Sequence, residues 1–214
     1  MTEAGRVIAG SARGIRLLSP GEGTRPFADR VKQTVFAILE PDLPGARVLD
    51  LFAGSGAGGI EALSRGAASA LFVERGSAAA RVISENLART RLAHAGRVIG
   101  ADVTAYLAGR GSEDGPFDVV LVDPPFADTS IMLATLDRLG RPPAAMLAAG
   151  AWVVARYFWR DAPPDTFGLI ASVRTRRFGE TGVTFYRRAG GSPELANASA
   201  GADESASETE ESAR

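Results

Sequence analysis

Apolar positions along the chain fall into short runs separated by stretches with helical patterning. RVLDLF at 47 to 52 ends in glycines and leads into a helical stretch through GIEALSRG. SALFVE at 69 to 74 is a second buried run, with a helix over about 77 to 90 behind it. RVIGAD at 97 to 102 and FDVVLVD at 117 to 123 follow, with a short helix between them, and AWVVARYF at 151 to 158 comes after a helix near 130 to 139. Strands alternating with helices in this way predict a parallel sheet covered on both faces, with ligand sites at the carboxyl ends of its strands.

The last patterned segment changes character. ASVRTRRFGETGVTFYRR pairs strand-like stretches at about 170 to 178 and 183 to 188 across GETG, which predicts an antiparallel hairpin in place of another crossover. Ahead of the sheet lies an arm of about 28 residues in which VIAG and IRLL form a small hairpin around SARG. A helix from Asp29 to Leu39 follows, with Asp29 as its expected N-cap. The fold class expected is α/β: a mostly parallel sheet with a C-terminal antiparallel hairpin and helices on both faces. One domain is expected over 1–189, with the arm in 1–40 and the core in 41–189. From about Gly190 the chain is rich in Ala, Ser and Glu, with one leucine and no aromatic residue to bury, so 190–214 is expected to be a disordered acidic tail.

Composition narrows the chemistry. The 214 residues contain no cysteine and one histidine, His94, which excludes a disulfide framework, a thiolate nucleophile and Cys- or His-rich metal ligation; no metal is expected. No apolar run approaches the roughly 18 residues that a membrane-spanning helix needs. The N-terminal MTEAGRVIAGSARG lacks a secretory apolar stretch, so a cytoplasmic location and no membrane partner are expected. The net charge of −1 is unevenly spread: residues 190 to 214 hold six acids and Arg214, leaving 23 bases and 19 acids in the body. A body of that sign attracts a polyanion weakly.

The segment Asp50-Leu51-Phe52-Ala53-Gly54-Ser55-Gly56-Ala57-Gly58-Gly59 follows a strand and opens a helix. Gly54, Gly56 and Gly59 satisfy the G-x-G-x-x-G pattern, and Glu74 ends the next strand 20 residues after Gly54. Asp50 argues against a dinucleotide, because it places an anion beside the position of a pyrophosphate. S-adenosylmethionine carries an ammonium and a sulfonium and no phosphate, so a carboxylate there is an asset. Glu74 suits the ribose hydroxyls of either ligand, and Asp102, ending the third strand, is placed for an adenine amino group. The bland alternative is that the glycines allow a tight turn and the acids cap helices.

Asp123-Pro124-Pro125-Phe126 follows the fourth strand. Two prolines fix their own backbone angles and extend the residues before them, making a rigid ledge. An exocyclic amine is a poor nucleophile, and acceptors on its hydrogens direct its lone pair toward an incoming methyl; Asp123 and the Pro124 carbonyl suit that role. Phe126 offers a face on which a flipped base can stack. Ser55 is not a nucleophile elbow, because that pattern needs glycine where Ala53 stands, and His94 is assigned no function. In the arm, Arg6, Arg13, Arg16, Arg25, Arg30 and Lys32 outnumber the acids and are candidates for RNA phosphate contact, with charged surface as the plain alternative. For Arg174, Arg176, Arg177, Arg187 and Arg188 on the final hairpin both readings stay open.

These motifs together resemble the S-adenosylmethionine-dependent methyltransferases with a seven-stranded Rossmann-like sheet. More closely, the chain resembles the bacterial enzymes that methylate N2 of a guanine in 16S ribosomal RNA (RsmD-like). The resemblance covers about residues 5 to 188 through RVIAGSARGIRL, RPFADRVKQTVF, VLDLFAGSGAGGIEALSRGA, VDPPF and GETGVTFYRR. It implies that Asp50, Phe52, Ala53, Gly54, Ser55, Gly56, Glu74 and Asp102 serve S-adenosylmethionine, with S-adenosylhomocysteine as product. It also implies that Asp123, Pro124, Pro125 and Phe126 hold the target base, and that Arg25, Arg30 and Lys32 lie near the cofactor mouth and the RNA. Phe27, where the family usually has Thr, and Gln33, at a commonly acidic position, depart from the pattern. The partner implied is 16S rRNA or a small-subunit assembly intermediate, and a monomer is expected. Adenine N6, cytosine N4 and protein amide nitrogens remain open as acceptors. So do a NAD-dependent oxidoreductase and a non-catalytic rRNA-binding factor.

Overall fold

Residues 3–21, 27–109, 111–125, 128–142 and 145–190 are described by the computed structural model. The apolar runs become strands: β1 Glu3–Arg6 and β2 Arg16–Leu18 in the arm, then β3 Arg47–Leu51, β4 Ser69–Glu74, β5 Gly96–Gly100, β6 Phe117–Val122, β7 Leu147–Phe158, β8 Thr166–Phe167, β9 Ile170–Phe178 and β10 Thr181–Arg188. Between them lie α1 Asp29–Leu39, α2 Ala57–Ser64, α3 Ser77–Arg89, α4 Val103–Ala108, α5 Gly111–Asp114 and α6 Thr129–Gly140. The main sheet has the order β5-β4-β3-β6-β7-β10-β9-β8, with β5 to β7 parallel and the last three strands antiparallel. The chain leaves β3 toward one side of the sheet and returns to β6 on the other, so the carboxyl ends of β3 and β6 flank a crevice where the strand order reverses.

Alternation along the central strands divides the core in two. Val48, Phe72, Val119, Leu121 and Val154 face α1, α2, α3 and the arm. Leu49, Leu51, Val73, Val120 and Val122 face α4 and α6. A strand buried on both faces explains why these runs are continuously apolar. Helix α6 covers the second face with Leu136 and Leu139, both fully buried, each contributing on the order of 2 kcal/mol of apolar burial.

The arm is bolted to the first face by buried polar groups. Glu61 of α2 accepts hydrogen bonds from Ile8 N (2.8 Å) and Ala9 N (3.1 Å) and pairs with Arg65 at 2.9 Å. Asn86 of α3 exchanges bonds with Leu18, accepting from its N at 2.8 Å and donating to its O at 3.0 Å, and also donates to Ser55 O at 2.9 Å. One fully buried amide thus joins the arm to the glycine loop.

Several boundaries differ from the sequence reading. Among the described residues the sheet has eight strands, because Thr166 and Phe167 add a two-residue edge against Ile170 and Ala171. Two residues carry too little periodicity to be legible. The arm's strands begin earlier, at Glu3, and VIAG lies in the connection, held by Glu61 and by Ser64. Asp29 is the first helical residue and not the N-cap: Ala28 holds that position, and the Asp29 carboxylate pairs with Arg6 at 3.1 Å. Residues 191–214, which hold nearly all of the expected tail, lie outside the described residues.

Candidate active site

The site begins with the backbone of the glycine loop. Phe52 leaves β3 at φ 60°, a left-handed conformation costly for a bulky side chain, and Gly56 starts α2 at φ 78°. Gly59 lets the first turn of α2 press onto β4, since a Cβ there would stand 2.4 Å from the Phe72 ring. Glu74 holds the loop from the neighbouring strand: its two oxygens accept from Gly54 N at 2.9 Å and Gly76 N at 2.7 Å. Each carboxylate oxygen retains a second lone pair for another donor.

Asp50 lies beneath this loop at 4% exposure, accepting from Gly59 N at 2.7 Å. Burial pushes its carboxyl up to about 8, the Gly59 N–H opposes the shift, Asp123 and Glu74 add to it, and Arg156 pulls it back. Three carboxyl groups share one crevice, and a cation placed among them would favour the ionised form of Asp50.

Across the crevice, Val122 of β6 pairs with Ala155 of β7, so the next residues, Asp123 and Arg156, stand side by side. Arg156 grips Asp123 with two bonds, Nε to Oδ1 at 2.6 Å and a second guanidinium nitrogen to Oδ2 at 2.6 Å. This fork-to-fork pairing fixes the carboxylate plane. The same guanidinium lies over the Phe27 ring, 4.8 Å from its centroid, and Phe27 packs on Phe36 of α1 at 6.5 Å. Beyond the ledge, Asp128 caps α6 by accepting from Ile131 N at 3.1 Å, and its own N donates to Pro125 O at 3.0 Å. The prolines are therefore anchored to the following helix.

These groups line one cavity of about 520 Å³. It collects Asp50, Phe52, Ala53, Gly54, Ser55, Glu74, Asp102, Asp123, Pro124 and Pro125 from the sequence-predicted set. Gly56 stands behind the wall as the start of α2. Asp102 caps α4, with Oδ1 accepting from Thr104 N (2.9 Å) and Ala105 N (3.2 Å). The bland reading of that acid is thus realised while its carboxylate still borders the cavity. Phe126 and Arg25 lie outside the described residues. Among the described residues five acids line the cavity, Asp50, Glu74, Asp102, Asp123 and Asp128, against two arginines, Arg75 and Arg156. The lining favours a cationic ligand and opposes a pyrophosphate.

The arm residues divide. Arg13, Arg16 and Arg30 are exposed. Lys32 is fully buried, donates from Nζ to the Arg6 carbonyl and stands 3.8 Å from Glu61. Burial lowers its pKa, against the raising effect of Glu61 and Asp29. Lys32 therefore faces a buried carboxylate and not a phosphate, a correction to its expected RNA contact. Helical spacing held the signal: Lys32 neighbours Val31 and precedes Val35 and Phe36 on the buried side of α1. Sequence reasoning also missed Arg156, whose signal was a charge inside the apolar run of β7, where a buried arginine needs a partner. Among the described residues no group of three or more His, Cys, Asp or Glu is arranged to hold a metal ion, and no helix is long and apolar enough to cross a membrane.

A family model described as "Conserved hypothetical protein 95" matches residues 5–187. The chain is 34% identical over 188 residues to YlbH of Bacillus subtilis (strain 168), whose name proposes an rRNA methyltransferase; the match spans 86% of this chain and 100% of that one. It is 43% identical over 122 residues to Ribosomal RNA small subunit methyltransferase D of Escherichia coli (strain K12), spanning 56% of this chain and 60% of that one. Among solved structures, Escherichia coli yhhF, whose name proposes a methyltransferase, superposes with a TM-score of 0.74 at 35% identity, over 86% of this chain and 97% of that one. An RNA methyltransferase from Salinibacter ruber in complex with S-adenosyl-L-homocysteine shares the fold at a TM-score of 0.55 and 16% identity, over 79% of this chain and 97% of that one.

Proposed function

The chain belongs to the conserved hypothetical protein 95 family, and from that membership and the site we propose an S-adenosylmethionine-dependent methyltransferase that acts on N2 of a guanine in small-subunit ribosomal RNA. The observation that carries the reading is the pairing of a buried, cation-seeking Asp50 with an Asp123 carboxylate clamped by Arg156 at the lip of the same acid-lined cavity. The relatives named for rRNA methylation support the substrate class.

S-adenosylmethionine supplies an electrophilic methyl on a positively charged sulfur. The chain's own residues fit such a donor: Asp50 offers a charge partner to its cationic part, and Glu74 keeps lone pairs for ribose hydroxyls beside the loop it braces. Asp102 borders the cavity for the adenine. At the acceptor end, Arg156 occupies one lone pair on each Asp123 oxygen and leaves the others for an amine N–H. Asp123 would hold the amine with its lone pair toward the position of the donor's methyl and, with water, would take up the proton that the amine gives up when the methyl is transferred. Alignment of nucleophile and methyl supplies most of the acceleration. The guanine must be exposed or flipped to reach the ledge. Arg13, Arg16 and Arg30 of the arm contact RNA phosphates, and the substrate is either free rRNA or a small-subunit assembly intermediate.

The test is direct. Incubation with labelled methyl donor and unmodified small-subunit rRNA or subunits, followed by mapping of the modified nucleotide, is expected to find the label on a guanine amino group. Label on adenine N6, cytosine N4 or protein would reassign the acceptor, and no label on either substrate would contradict the activity.

A further inference from the structure

Four arginines of the C-terminal hairpin separate into two groups, while Arg177 lies over the Trp159 ring at 3.6 Å. Arg187 donates to the Gly150 carbonyl, covers the Trp152 ring at 3.9 Å and pairs with Asp42 at 3.1 Å; Arg188 donates to the Leu147 carbonyl. Those two staple the sheet. Arg174 and Arg176 of β9 are exposed, and among the described residues neither forms an ion pair. Arginines without a carboxylate partner on a strand leave their charge available to a polyanion.

Their position is set by register. Asp123 stands beside Arg156, Arg156 pairs with Val183 of β10, and Val183 pairs with Arg176. Arg174 pairs with Phe185, which pairs with Val154. Directly opposed residues point to the same side of a sheet. Arg174 and Arg176 therefore share the face that carries α1 and the arm, with Arg176 two strand spacings, or about 10 Å, from Arg156. Beyond Ser172, which bonds Asp165, β9 pairs with no outer strand among the described residues, so the edge beside Arg174 and Arg176 is open there. On the other side of the crevice, the arm lies on α2 and α3 with Arg13 and Arg16 exposed.

We propose that Arg174 and Arg176 form a second phosphate-contact surface, so that the RNA backbone is held on both sides of the cavity, by the arm at one end of the sheet and by β9 at the other. This surface presupposes the rRNA reading above and receives the part of the substrate that flanks the target base. Two contacts of this kind bring counterion release, so the log of the RNA affinity falls more steeply with log salt.

The experiment compares wild type, R174Q/R176Q and R174K/R176K, with R141Q as control because Arg141 follows α6 at the opposite end of the strands. Small-subunit rRNA transcript binding is measured from 50 to 200 mM salt, with S-adenosylhomocysteine binding and single-turnover transfer measured beside it. The Gln pair is expected to lower the salt slope by about 2 and to raise the RNA concentration giving half-maximal transfer. Cofactor affinity and the rate at saturating RNA should be retained. The Lys pair and R141Q should keep the wild-type slope. An unchanged slope in a Gln pair that still binds S-adenosylhomocysteine overturns the β9 surface while leaving the methyltransferase reading intact. Wild-type protein that neither binds nor methylates rRNA overturns both.

Discussion

Burial and the neighbouring carboxylates hold Asp50 protonated, a state that a bound cation would reverse. Between the ordinary carboxylate range and about 8, the folded protein keeps a proton that the unfolded chain has released. This group therefore lowers stability progressively as pH rises through that window. Asn at 50 can still accept from Gly59 N but has no charge to desolvate. Asp50→Asn should match the wild-type melting temperature near pH 4 and exceed it by about 5 °C or more at pH 8 in ligand-free protein, since each tenfold change in proton affinity between the folded and unfolded chain is worth about 1.4 kcal/mol. Donor binding at pH 7 should release close to one proton in wild type and none in the variant, as read by calorimetry in buffers of different ionisation enthalpy. A melting difference independent of pH would refute this assignment. At the acceptor end, Arg156 faces Asp123 across two bonds of 2.6 Å, which fixes the orientation of the carboxylate.

The elements around the site owe their placement to a few buried polar residues as much as to apolar periodicity. Strand and helix positions in the core follow the sequence reading closely, because β3, β4 and β6 are covered on both faces and their apolar runs are unbroken. The arm was less legible. Its position depends on Glu61, Ser64 and Asn86, residues 52 to 68 positions away in sequence from those they bind, and no local pattern announces such bonds. Lys32 shows the consequence: read as one of a row of basic residues it belongs to RNA, yet it sits inside the junction between α1 and α2. Lys32→Met should leave the salt dependence of RNA binding unchanged and lower the melting temperature, since the bond to the Arg6 carbonyl is lost inside the fold, at a cost of about 1 to 3 kcal/mol. A flatter salt slope with unaltered stability would return Lys32 to the RNA surface. Arg156 and Asp123 are equally non-local, 33 residues apart, and only the strand order brings them together.

Over the whole molecule the charges are sorted by place. Acids gather inside the cavity at the carboxyl edge, while exposed arginines of the arm and of β9 share one face of the sheet around it. On the proposals above, a cationic methyl donor and a polyanionic RNA would be drawn to adjoining regions without competing for the same charges. The glycine loop and the proline ledge were readable as separate motifs; that they form opposite walls of one crevice follows from the reversal of strand order between β3 and β6. Asp123 stands where those walls meet. Single-turnover transfer to small-subunit rRNA, with donor pre-bound, should fall by about 10²-fold or more in Asp123→Ala at unchanged donor affinity. Arg156→Lys, which keeps a cation but loses the fork, should lie between that variant and wild type. An Asp123→Ala protein that is folded, donor-bound and as fast as wild type would contradict a role for the proline ledge in methyl transfer.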